Sequence, residues 1–173
     1  LPIKWKMPQA YANTNGILPP GSIPKYQRPL VIPPAMPISE KIVVPGKGRL
    51  DLYKIAVRQF AQDILPPSLG LDPTPVWSYG SIDYPGTVAQ GGSFNYPAFT
   101  IETTWRKQIL VKWINGLVDS SGDYLPHLLP VDQTLHWANP PGPRDTRGFD
   151  PAPYMGPVPI ITHVHGAHTY QES

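Results

Sequence analysis

Proline recurs so often in this chain that regular structure is limited to short, extended segments. The sequence contains 25 prolines and 15 glycines in 173 residues. Proline lacks the backbone N–H that a helix interior needs, and it pushes the preceding residue toward extended conformations. Hydrophobic residues make up 40% of the chain, which is enough for a buried core. We therefore expect an all-β protein with long, proline-stiffened loops.

The first part of the chain is predicted to be an extended arm. Residues 1–48 carry closely spaced prolines, with apolar residues such as Ile3, Trp5 and Leu30 between them. A disordered linker rarely carries so many apolar side chains. We expect an arm that wraps over a folded body formed by residues 49–173, with a flexible tail as the alternative.

Short strands are predicted from the alternation of side chains along the chain. Tyr53, Ile55 and Val57 share one face of a strand at residues 51–58. Further strands are predicted at residues 76–80, 99–103, 109–114 and 160–165, with a Pro/Gly-rich insertion at 119–157. A run of short strands separated by turn residues is typical of a sandwich or barrel.

Charge and motifs exclude several classes of function. The net charge is +2, and the basic residues are scattered without a block that would predict a nucleic-acid or anionic-membrane partner. No apolar run reaches the roughly 20 residues of a membrane span. The chain has no cysteine, so no disulfide forms within it, although this leaves the compartment open. Phosphate-binding glycine motifs and a G-x-S-x-G elbow are also absent.

The most informative residues are His163 and His165, which follow the apolar residues of the strand predicted at 160–165. Side chains at i and i+2 of a strand project to the same face, so both imidazoles are expected to point to one site. Imidazole binds zinc, copper, iron and nickel, and the pair alone does not select among them. Gly166 lets the backbone pass close to a ligand. A histidine that is simply hydrogen-bonded within a core remains the alternative.

The other histidines and the carboxylates give weaker signals. His168 is expected on the opposite face of a continuing strand from His165, in a surface or supporting role. His127 and His136 are isolated in the insertion, and no metal role is predicted for them. The aspartates are scattered through loops without a spacing that favours acid–base catalysis.

Several segments together resemble the first cupredoxin domain of multicopper oxidases, especially the spore-coat laccase and bilirubin oxidase branch. Residues 162–166 resemble the family's first H-x-H-G copper motif. Three further segments, 96–102, 109–115 and 129–136, resemble stretches that precede this motif, with Ala98 and Phe99 departing from the usual residues. The resemblance covers roughly residues 50–173 and implies a Greek-key β-sandwich or barrel.

The resemblance assigns a role to each histidine of the pair. It implies that His163 binds type 2 copper and that His165 binds type 3 copper. It also implies one-electron oxidation of a phenol, aromatic amine or tetrapyrrole, coupled to four-electron reduction of O2 to water.

The resemblance also implies that this chain is incomplete as an oxidase. The family's further H-x-H pairs and the cysteine of the type 1 site do not occur in this sequence. We therefore expect a C-terminal remainder of the same oxidase, as a second chain or fragment, to supply these ligands and the last strands of the domain. Without that remainder the sheet edges would be open.

Two other functions remain compatible with the sequence. Amidohydrolase-type metal-dependent hydrolases also carry H-x-H on a strand, but there the motif opens a (β/α)8 barrel. Proline-rich, strand-like sequence precedes the motif here, which does not favour that architecture. A non-catalytic β-sandwich binding module with structural histidines would fit the composition as well.

Overall fold

The computed structural model describes residues 18–29, 31–132 and 154–166. Within these residues the regular structure is almost entirely β, with four strands and three single turns of 3-10 helix. The strands are β1 (Glu40–Val44), β2 (Gly48–Gln62), β3 (Thr74–Ser81) and β4 (Ile109–Asn115). The predicted all-β class is thereby confirmed, and the antiparallel pairing of β1 and β3 with β2 is consistent with a cupredoxin-like fold.

The long strand β2 is the centre of the sheet. It pairs antiparallel with β1 through residues 48–52 and with β3 through residues 55–62. β4 also pairs with β2. The chain divides into two compact units, residues 1–112 and 113–173, and the sheet from β1 to β3 belongs to the first.

The core of the first unit lies on one face of β2. Met36, Tyr53 and Ile55 are 4%, 2% and 1% exposed, respectively. They pack against the partly buried side chains of Tyr79, Phe99, Ile101, Ile109 and Val111. Burial of this apolar surface is the main stabilising term for such a sheet.

The opposite face of β2 is covered by Phe94. Its ring packs edge-on against Phe60, with centroids 6.1 Å apart, and lies under the guanidinium of Arg58 at 4.9 Å. Gly80, the partner of Ala56 in β3, makes room for this ring, because an added Cβ would lie 2.5 Å from it. Side chains therefore cover the middle of β2 from both of its faces.

The predicted strands at residues 51–58, 76–80 and 109–114 correspond to β2, β3 and β4. The strand predicted at 99–103 is wrong, because only Thr100 forms an isolated bridge, to Ala35. Pro33 and Pro34 precede Ala35, and their missing N–H groups prevent a longer ladder there.

Residues 1–48, the predicted arm, contain β1 and other contacts with the sheet. The guanidinium of Arg28 donates two hydrogen bonds to the carbonyl of Leu65, at 3.1 and 2.8 Å. Met36 contributes to the core of the first unit. Trp5 and the rest of residues 1–17 lie outside the described residues, as does Trp137. Among the described residues, no helix has the length and apolar character needed to cross a membrane.

Candidate metal centre

The segment that carries the histidine pair is anchored at Val158. Val158 is 6% exposed, and its backbone carbonyl accepts a hydrogen bond from the side-chain amide of Asn115 at 2.7 Å. The same asparagine accepts a hydrogen bond from the N–H of Leu117, which is 1% exposed. Asn115 therefore ties the end of β4 to the start of the histidine segment through its own side chain.

Tyr154 and Gly156 shape the turn that leads into this segment. The Tyr154 hydroxyl donates a hydrogen bond to the carbonyl of Pro157 at 2.9 Å. An added Cβ at Gly156 would lie 2.4 Å from that hydroxyl, so the Tyr154 side chain would have to move. Burial, and then the nearby Tyr124, raise the pKa of Tyr154 above its usual value. The hydroxyl therefore stays protonated, as its donor role requires.

The two imidazoles emerge from this anchored segment side by side. The ring centroids of His163 and His165 are 5.8 Å apart, with 58° between the ring planes. Both residues are exposed, and Val164 between them is 77% exposed. The structure thus brings together the two residues that the sequence selected, and it leaves both open to further ligands.

The strand predicted for residues 160–165 is wrong. Residues 157–164 carry no strand or helix in the described part of the chain, and a turn follows at His165 and Gly166. Pro157 and Pro159 lack the N–H groups that a ladder would use. Gly166 has φ of +72°, a left-handed conformation that glycine adopts without strain.

The hydrogen bonding of His163 favours a metal-ligand role. Its Nδ1 lies 3.3 Å from the carbonyl oxygen of Ile161. In the tautomer with the proton on Nδ1, this nitrogen donates to that carbonyl and the lone pair of Nε2 is free. Histidines that bind metals commonly donate the other ring N–H to a carbonyl in this way, which fixes ring and tautomer together.

The pair fits part of a metal site but does not complete one. Two imidazole nitrogens suit copper, zinc, iron or nickel. Within residues 18–29, 31–132 and 154–166, no third histidine or carboxylate joins them in a group able to hold a metal ion. A metal at His163 and His165 would therefore need ligands from beyond this described part.

The structure brings none of the other histidines that it describes next to the pair of His163 and His165. His127 is half-buried, and its ring lies 6.2 Å from that of Tyr154, in a separate aromatic contact. His136 and His168 lie outside the described residues.

One curated protein shows detectable similarity to this chain. Over 103 residues the chain is 27% identical to a protein named laccase from Bacillus subtilis strain 168. The match takes in 60% of this chain but 14% of the laccase, so the chain corresponds to a small part of that protein. No protein-family profile matches the chain, and no solved structure matches it significantly.

Proposed function

We propose that this chain is the N-terminal, cupredoxin-like portion of a laccase-like multicopper oxidase. The enzyme would couple one-electron oxidation of phenols, aromatic amines or tetrapyrroles to the four-electron reduction of O2 to water. The all-β fold and the similarity to the Bacillus subtilis laccase support this proposal. The C-terminal remainder of the oxidase is proposed as the partner that completes the enzyme.

The single observation that carries the proposal is the geometry of the histidine pair. The rings of His163 and His165 are neighbours, exposed and free of a third ligand among the described residues. In this proposal His163 is a ligand of type 2 copper and His165 a ligand of type 3 copper. Copper bound there would supply the one-electron chemistry and the reduction of O2.

The chain itself would contribute position and access. In the tautomer with the proton on Nδ1, the contact of His163 with the Ile161 carbonyl leaves Nε2 free to bind a metal. The Asn115 hydrogen bond to the Val158 carbonyl fixes the backbone from which both histidines project. Their exposure leaves space for ligands from the proposed remainder and for the approach of O2.

Oxygen uptake tests this proposal on the purified protein with any polypeptide that copurifies. A phenol and an aromatic amine would serve as reductants. We expect uptake in the wild type and a loss of at least about a hundredfold in His163→Ala and in His165→Ala, because changing a residue that only supports a metal ligand already costs about 10–100-fold. Val164→Ala, an exposed substitution between the two ligands, is the matched control and should keep its activity. Full uptake in a copper-loaded His165→Ala variant would contradict the proposal.

A further inference from the structure

A basic pocket lies in the first unit, between two turns that are distant in sequence. The turn between β1 and β2 and the turn before β4 border a cavity of about 410 Å3. Its lining residues are Gly46, Lys47, Arg49, Leu50, Arg106, Lys107 and Gln108. Four of these side chains are cationic, and none carries a carboxylate.

Glycine and hydrogen bonds shape the first of these turns. Gly46 and Gly48 have φ of +76° and +78°, and the Lys47 N–H donates to the carbonyl of Val44 at 3.0 Å. This closes the hairpin and presents Lys47 at its tip, with Arg49 at the start of β2. Two cations therefore enter the pocket from one side.

The second turn holds Arg106 in a conformation that non-glycine residues rarely adopt. Its φ is +65°, which is sterically strained for a residue with a Cβ. The turn is closed by the Lys107 N–H, which donates to the Thr104 carbonyl at 2.9 Å. The Thr103 hydroxyl also donates to the Lys107 carbonyl at 3.3 Å. Backbone strain of this kind is commonly kept where a side chain must be placed for binding.

Three of the four cations have no carboxylate partner in the part of the chain that the structure describes. Lys107 is the exception, because it forms an ion pair with Asp51, which is 4% exposed on β2. This pair anchors the second turn to the sheet. Lys47, Arg49 and Arg106 remain uncompensated around one cavity. Their mutual repulsion would be relieved by a bound anion.

We propose that this basic pocket binds a ligand with several phosphate groups. The exposed cations reach one open surface pocket from two turns, which suits a short, densely charged ligand better than an extended acidic peptide. Guanidinium groups bind phosphate oxygens through paired N–H donors, and lysine adds a point charge. The Gln108 side-chain amide offers a further donor in the lining.

This pocket has no signature in the sequence. Lys47 and Arg49 are more than 50 residues away from Arg106 and Lys107 in the sequence, so these cations form no basic block. The pairing of β1 and β4 with β2 and the ion pair from Asp51 to Lys107 bring the two turns to one place. The proposal does not depend on the histidine pair or on copper.

Calorimetric titration of the full chain with sodium tripolyphosphate, in the absence of metal ions, tests the proposal. We expect saturable 1:1 binding that weakens between about 20 and 150 mM salt, because exposed charges are screened over that range. The double variant Arg49→Gln/Arg106→Gln should bind at least about tenfold more weakly, since losing one hydrogen bond to a charged group already lowers affinity roughly tenfold.

The control is the double variant Lys25→Gln/Lys112→Gln. It removes the same charge from two exposed residues outside the pocket lining, and its affinity should change by less than about threefold. Circular dichroism would confirm that both variants are folded. The proposal is overturned if the wild type does not bind, if both double variants lose affinity equally, or if the arginine variant binds like the wild type.

Discussion

The sheet around β2 and the segment from Val158 to Gly166 are built in opposite ways. β2 is paired on both sides, and its residues Tyr53 and Ile55 are almost fully buried. The histidine segment has one buried residue, Val158, and presents both imidazoles on the surface without strand pairing in the described residues. The difference indicates that stability resides in the sheet, whereas the candidate chemistry resides in a segment that contributes little to it.

The largest loss of stability that this comparison predicts follows the removal of a buried aromatic side chain. Phe94→Ala should lower the free energy of unfolding by about 3–5 kcal/mol, because it removes the ring that covers one face of β2 and leaves a cavity. Phe94 is 2% exposed. Met155→Ala is the control from the second unit, since Met155 is 74% exposed and should change stability by less than about 0.5 kcal/mol. Denaturant unfolding measures both, and equal losses would break the comparison.

A smaller loss of stability is expected when a side chain is added in the space between Gly80 and the Phe94 ring. Gly80→Ala would place a Cβ 2.5 Å from the Phe94 ring, so the ring or the strand must shift. We expect a loss of about 1–3 kcal/mol. Gly21→Ala is the matched control, because nothing lies within 4 Å of its added Cβ. Combining Gly80→Ala with Phe94→Ala should cost less than the sum of the single changes, and strict additivity would show that the two residues do not share a site.

Local sequence patterns were enough to predict β2, β3 and β4 but not β1. The apolar face formed by Tyr53, Ile55 and Val57 predicted β2, because a central strand needs one consistently apolar face. β1 was missed because its proline-rich surroundings masked a short alternation that ends in a Pro-Gly turn. Lys47 and Gly48 complete that turn, and this Pro-Gly-Lys-Gly sequence between two apolar runs was the signal available.

Two strand predictions were wrong because the local sequence does not reveal whether a neighbouring strand is available for pairing. Residues 99–103 and 160–165 have apolar alternation, but a strand also needs a neighbour with free N–H and C=O groups. The rings of His163 and His165 are nevertheless neighbours, because the two residues are only two positions apart in sequence, and their role as metal ligands stays a prediction. The basic pocket could not be foreseen, because it depends on tertiary pairing alone.

The buried hydroxyl of Tyr53 should make the stability of the sheet depend on pH. Burial chiefly, and then the charge of Asp51, raise the pKa of Tyr53 above its usual 10.0. The folded state therefore holds this proton more tightly than the unfolded state. The associated stability is present below pH 10 and is lost as the pH rises through the folded-state pKa.

The expected result is that wild-type stability falls above about pH 10 and that Tyr53→Phe reduces this fall. At pH 7 the same substitution should cost about 1 kcal/mol or less, because it removes the hydrogen bond from the hydroxyl to the Glu102 carbonyl, 3.3 Å long. Urea unfolding at pH 7, 9 and 11 would measure both effects. An unchanged pH profile in Tyr53→Phe would show that another group is responsible.

The smallest effect on stability should come from the histidine segment itself. In metal-free protein, His163→Ala and His165→Ala should each change the free energy of unfolding by less than about 0.5 kcal/mol, since both side chains are exposed. Thermal unfolding without metal would measure this. A loss comparable with that of Gly80→Ala would mean that the histidines are structural residues.

Elemental metal analysis of the purified protein, expressed per copy of this chain, tests the central claim most directly. The measurement compares the wild type, the double variant His163→Ala/His165→Ala and the control Val164→Ala. The account predicts copper in the wild type and in the control, and a clear loss of copper in the double variant. Undiminished copper in the double variant, or zinc in place of copper in the wild type, would contradict it.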